Sequence, residues 1–129
     1  MQIQKTRPTV LLIDDCEPHR SMYEMTLEAK FDVVTAARGR EGIRLAATNQ
    51  PDAILLDVLM PEMDGWETCT RLKSDPATES IPVILLTGVT DIDLTDHAMA
   101  VGACDVLTKP CPPDRLLGTI QKALGREPR

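Results

Sequence analysis

Ala53-Ile54-Leu55-Leu56-Asp57-Val58-Leu59-Met60-Pro61-Glu62-Met63-Asp64-Gly65 is the stretch on which the fold turns. Four apolar residues deliver one carboxylate, Asp57, and a turn punctuated by Pro61 and Gly65 follows at once. An apolar run of that length between turn signals reads as a strand buried on both faces. Asp57 is therefore expected where a strand leaves the core, fixed by a rigid element and able to meet solvent. A carboxylate there can bind a metal, take a proton or attack an electrophile such as a phosphoryl group. Taken alone, it can equally cap the following turn.

The same pattern recurs on both sides. Val10-Leu11-Leu12-Ile13 delivers Asp14-Asp15, and Val83-Ile84-Leu85-Leu86 delivers Thr87-Gly88. Ala103–Thr108 reads as the last strand and delivers Lys109-Pro110. A weaker strand at Phe31 and Val33-Val34 ends near Arg38-Gly39. Helical spacing fills the gaps. Pro18 suits a first turn, and a helix from there through Lys30 places Met22, Met25 and Ala29 on one face. Glu41–Asn49 reads as a helix burying Ile43, Ala46 and Ala47. Asp64 starts another, with Glu67 reaching back to complete the cap, and it buries Trp66, Cys69 and Leu72. Asp93–Val101 turns Leu94, Ala98 and Val101 inward and stops at Gly102. The closing helix starts near Pro112-Pro113, buries Leu116, Leu117, Ile120 and Leu124, and ends at Gly125, leaving Arg126–Arg129 to fray. Five strands alternating with five helices predict an α/β fold with a parallel sheet. One domain is expected over residues 1–129, with its ordered core at about residues 8–125.

In sheets of this kind, functional groups gather beyond the carboxyl ends of the strands, at the topological switch point. This chain delivers Asp14, Asp15, Asp57, Thr87 and Lys109 to that edge from four different strands. Three carboxylates against one ammonium leave a formal charge of −2 in a small volume, which disfavours ionisation until a cation arrives. Hard oxygen ligands, too few for a full protein cage, favour Mg²⁺ over Ca²⁺. Zinc prefers His or Cys, and His19 and His97 lie on separate predicted helices. A metal, a lysine and a hydroxyl around a reactive carboxylate suit phosphoryl transfer, with Asp57 as the attacking oxygen. Thr87 can donate a hydrogen bond to a phosphoryl oxygen after transfer.

Composition narrows the classes. The net charge of −6 argues against a nucleic-acid partner, which needs a basic face. Aromatics are limited to Tyr23, Phe31 and Trp66, so an aliphatic core is expected. Cys16, Cys69, Cys104 and Cys111 form no CxxC pair and suggest free thiols in a reducing cytosol. Met1–Pro8 is polar and reads as no signal peptide, and no apolar run approaches membrane-spanning length. A soluble, cytoplasmic protein with no membrane partner is expected.

Over nearly its whole length the chain resembles the receiver domains of two-component response regulators, in particular the chemotaxis-type single-domain receivers. The resemblance is carried by Leu12-Ile13-Asp14-Asp15, by Leu55 through Gly65, by Leu85-Leu86-Thr87-Gly88 and by Gly102 through Pro110. It implies a flavodoxin-like, doubly wound sheet of five parallel strands in the order 2-1-3-4-5. It also implies that a histidine kinase or histidine phosphotransfer protein donates phosphoryl to Asp57. Asp14 and Asp15 would hold Mg²⁺ with Asp57 and the backbone carbonyl of Leu59. Thr87 would be the switch hydroxyl, next to Gly88, and Lys109 the phosphate-binding lysine. The Lys109-Pro110 bond would be cis. A protein target would read the face of helix 4, strand 5 and helix 5 on a monomer or weak dimer.

Two positions depart from the usual receiver pattern. Val106 stands where the last strand usually carries Tyr or Phe, and Cys111 where an aromatic commonly follows the Lys-Pro pair. Val106 cannot perform the swing of an aromatic, so the response is expected to rest on Thr87 and the loop Gly88–Asp93. The chain reads as a signalling module without turnover. One rival is a pseudo-receiver acting as a constitutive interaction module. The other is a Mg²⁺-dependent aspartyl-phosphate phosphatase resembling the haloacid dehalogenase group, which wants a second Asp where this chain has Leu59.

Overall fold

The computed structural model describes residues 7–88 and 93–125. The polar lead-in, the tail Arg126–Arg129 and the centre of the loop between Gly88 and Asp93 lie outside the described residues. Five strands, β1 (Thr9–Ile13), β2 (Asp32–Ala36), β3 (Ala53–Asp57), β4 (Val83–Thr87) and β5 (Asp105–Thr108), form one sheet. All neighbours are parallel, in the order β2-β1-β3-β4-β5. Helices α1 (Glu17–Leu27), α2 (Gly39–Asn49), α3 (Gly65–Ser74), α4 (Leu94–Ala100) and α5 (Pro113–Ala123) follow the strands in turn.

The apolar runs are central strands because both of their faces are covered. Leu11, Ile13, Ile54, Leu56, Val83 and Leu85 pack on one side with Ala46, Cys69, Leu72 and Ala98 from α2, α3 and α4. Val10, Leu12, Leu55, Ile84 and Leu86 point the other way, onto Tyr23 and Leu27 of α1 and Leu116 and Ile120 of α5. Alternation along each strand thus feeds two aliphatic cores. β2 is an edge strand, and its half-exposed Val33 and Val34 fit its weaker signal in the sequence. Among the described residues no helix is long and apolar enough to cross a membrane.

Several local expectations need correction. Met22 and Met25 are exposed at 49% and 74%, and Ala29 lies past the end of α1; the buried face carries Tyr23 and Leu27. Tyr23 and Leu27 pack in the core with Val10, Leu12, Leu116 and Ile120, which leaves both methionines facing outward. At the first turn of α1 the Arg20 guanidinium also donates to the Asp14 carbonyl at 2.8 Å. In α2, Ala46 is buried but Ala47 is exposed, one residue round the helix. Asp64 does cap α3, accepting from the Glu67 N–H at 2.9 Å, whereas the Glu67 carboxylate pairs forward with Arg71 at 2.7 Å. An opposite charge four residues on outcompetes the return to the cap.

Candidate functional site

Strand order sets the site. From β1 the chain winds to β2 on one side, then crosses to β3 on the other, so a crevice opens beyond the carboxyl ends of β1 and β3. Asp14 follows β1 and Asp57 ends β3. Thr87 ends β4 and pairs in register with Thr108 on β5, one residue before Lys109. The Lys109 N–H donates to the Thr87 carbonyl at 2.8 Å, and the Lys109-Pro110 peptide is cis.

Behind Asp57 the backbone is close-packed. The Gly65 N–H donates to the Val58 carbonyl at 2.7 Å. A Cβ on Gly65 would collide with the Asp57 carbonyl and the Val58 Cα, so only glycine lets α3 start against the Asp57 strand end. Leu59, two residues past Asp57, is 61% exposed at the rim, and Gly88 is also exposed.

Asp14 and Thr87 are fully buried and Asp57 nearly so. Asp14 accepts from the Cys16 N–H at 2.9 Å. Lys109 reaches both carboxylates, with Nζ 3.2 Å from Asp14 Oδ2 and 3.4 Å from Asp57 Oδ1. Burial pushes the Asp57 carboxyl up to about 6; the Asp14 charge adds to this and Lys109 opposes it. Burial works against the Lys109 ammonium, but attraction to Asp57 and Asp14 outweighs it and raises its pKa. Asp14, Asp15 and Asp57 each offer one oxygen, all within 4.8 Å of one another. Three hard anionic oxygens that close, with a crevice for further oxygen ligands, fit a magnesium ion.

Sequence reasoning missed two contributors. His19 Nδ1 lies 3.3 Å from Lys109 Nζ, and the Tyr23 ring lies below the same nitrogen, 5.9 Å from centroid to Nζ. A lone histidine and a lone tyrosine on one helix carry no signal for a contact with a lysine ninety residues away. Cys111 is buried in the core, Cys16 precedes α1, and all four cysteines are free thiols. Val106 is half-buried against the core formed with α2, α3 and α4.

A family model described as the response regulator receiver domain matches residues 10–121. The chain is 42% identical over 102 residues to the response regulator PleD of Caulobacter vibrioides, covering 78% of this chain and 22% of that protein. The chain thus spans about a fifth of that relative's length. Its fold is similar to that of the chemotaxis protein CheY4 of Vibrio cholerae, with a TM-score of 0.86 and 35% identity over 92% of this chain and 99% of the other. It is also similar to the receiver domain of a Pseudomonas aeruginosa sensor histidine kinase, with a TM-score of 0.85 and 25% identity over 93% and 99% of the two chains. That structure has a magnesium ion coordinated in its active-site cleft.

Proposed function

This chain belongs to the response regulator receiver domain family, and we propose that it accepts a phosphoryl group on Asp57 in a Mg²⁺-dependent reaction and passes the signal to a protein partner. The observation that carries this reading is the convergence of Asp57, Asp14, Asp15 and Lys109 from the ends of three strands, β3, β1 and β5. We take residues 1–129 as one receiver domain whose donor is a histidine kinase or a histidine phosphotransfer protein.

The chemistry follows from the cluster. An Asp57 oxygen attacks the phosphorus of a phosphohistidine; the O–P bond forms as the N–P bond breaks, and the imidazole leaves with the bonding pair. A buried carboxylate that titrates near 6 is ionised at neutral pH yet poorly solvated, which suits a nucleophile. Lys109 stands where it can donate to the transferring oxygens and offset their charge. Asp14, Asp15, Asp57 and the Leu59 carbonyl would hold the magnesium ion, which neutralises phosphoryl charge when bound. Thr87 would donate to the new phosphoryl group, and Gly88 would let the following backbone adjust. The target would read the surface of α4, β5 and α5. The phosphatase alternative lacks its acid, because Leu59 occupies that position.

The test is intact-mass spectrometry after incubation with a small phosphodonor and Mg²⁺. One acid-stable, base-labile phosphoryl group is expected, absent from Asp57→Asn and suppressed without Mg²⁺. Steady turnover of donor would favour the phosphatase, and no label at all the pseudo-receiver.

A further inference from the structure

We propose that His19 is a positioning residue for Lys109, holding one ammonium N–H until a phosphoryl oxygen takes it over. The inference rests on Asp57 being the phosphoacceptor. An ammonium has three N–H donors and no acceptor. Among the described residues Lys109 Nζ has three acceptors around it: Asp14 Oδ2 at 3.2 Å, Asp57 Oδ1 at 3.4 Å and His19 Nδ1 at 3.3 Å. Because the ammonium can only donate, Nδ1 must present its lone pair, which places the ring proton on Nε2.

The contact belongs to a clamp on one face of α1. Tyr23, four residues after His19, presents its ring to the same nitrogen. The two residues reach Lys109 from α1, whereas the carboxylates stand at the ends of β1 and β3.

The three acceptors are unequal. Two are carboxylates, and charge-assisted pairs of that kind are stronger than a bond to a neutral ring. A phosphoryl group on Asp57 introduces anionic oxygens that need the same donors. His19 is the weakest acceptor of the three and sits on the exposed rim, so it is the partner that can be exchanged. Without His19, the third N–H turns to water and the ammonium is free to close further onto Asp14 and Asp57, which it already touches. The tighter pairing quenches the nucleophile more fully and must be loosened before the ammonium can meet the incoming group. Loss of the clamp acts on the transfer step more than on donor binding.

His19→Leu and His19→Asn separate these effects, because the Asn carbonyl oxygen takes the place of Nδ1. With acetyl phosphate and Mg²⁺, His19→Leu should lower the maximal labelling rate about tenfold with little change in half-saturation. His19→Asn should restore most of that rate. In parallel, NMR of the ¹⁵N-labelled Lys109 ammonium, without donor, should show proton exchange slowed in the parent and His19→Asn, and fast in His19→Leu. Parent-like maximal labelling in His19→Leu, or a His19→Asn protein as slow as His19→Leu, overturns the proposal. A parent that takes no label overturns the phosphoacceptor reading instead, while the ammonium signal still reports the His19 contact.

Discussion

Asp57 Oδ1 stands 3.4 Å from the Lys109 ammonium, yet the Asp57 carboxyl titrates near 6 instead of near its ordinary 3.8. Burial is the larger force, and Lys109 divides its charge between Asp57 and Asp14. The folded state therefore resists ionising Asp57. The penalty is absent below about pH 4, grows between about 4 and 6, and is complete above 6. At pH 7 without metal, Asp57→Asn should be more stable than the parent by up to about 3 kcal/mol, and the gain should vanish near pH 4. Denaturant melts across that range measure it. A variant less stable than the parent at pH 7 would mean that the carboxylates are not crowded.

Magnesium should relieve the same crowding. Ligand binding to the folded state alone stabilises by mass action, about 2.7 kcal/mol at a hundredfold excess over Kd. Added Mg²⁺ should raise the melting temperature at pH 7, and a chelator should reverse the rise. The effect should shrink at pH 5, where Asp57 is mostly protonated, and largely disappear in Asp57→Asn. A rise of equal size in that variant would place the metal elsewhere.

The sequence made the strands legible because four-residue apolar runs have one comfortable home, a central parallel strand. It made Asp14, Asp57 and Thr87 legible because each ends or follows such a run, and Lys109 because it follows the last strand signal, Ala103–Thr108; strand ends on one edge must converge. The rotation of α1 was not legible. The stripe Met22–Met25–Ala29 and the stripe Tyr23–Leu27 both satisfy helical spacing, and only the tertiary packing of Tyr23 and Leu27 against β1 and α5 decides between them. His19 escaped for the same reason, since it meets Lys109 only because of that rotation. The cis Lys109-Pro110 bond was expected only through the family resemblance, because nothing in the residues themselves demands it.

Glu62 holds backbone strain beside the site. Its φ is 69°, and the Met63 N–H donates to the Pro61 carbonyl at 2.8 Å, which makes a tight three-residue turn of the strained hand. A strained positive-φ conformation of this kind costs a non-glycine residue about 1–3 kcal/mol, and glycine adopts it most readily. Glu62→Gly should therefore stabilise the protein by about 0.5–1 kcal/mol, the relieved strain less the extra entropy glycine loses on folding. Thermal unfolding checks it, with a melting temperature a few degrees higher expected. No gain would mean that the turn relaxes at no cost.

The last prediction concerns how a signal leaves the pocket. Phosphorylation can bias α4 only through contacts that differ between two states. Val106, β-branched and half-buried, has no ring to swing between burial and solvent. Thr87 leads instead towards α4, where His97 stacks on Trp66 of α3 with ring centroids 3.7 Å apart and planes 10° from parallel. Trp66 directly follows Gly65, which packs on the Asp57 strand end. The stack therefore ties α4 to the start of α3, beside the Asp57 strand end. Such a pair is worth about 0.5–1.5 kcal/mol beyond its buried area, enough to resist but not to forbid a shift of α4. Trp66 is the only tryptophan, so its fluorescence reads the stack without labels. Adding beryllofluoride with Mg²⁺ as a phosphoryl mimic should change that fluorescence in the parent and in Val106→Ala. Thr87→Ala should lose most of the change. A response abolished by Val106→Ala but intact in Thr87→Ala would show that the signal travels along β5 instead.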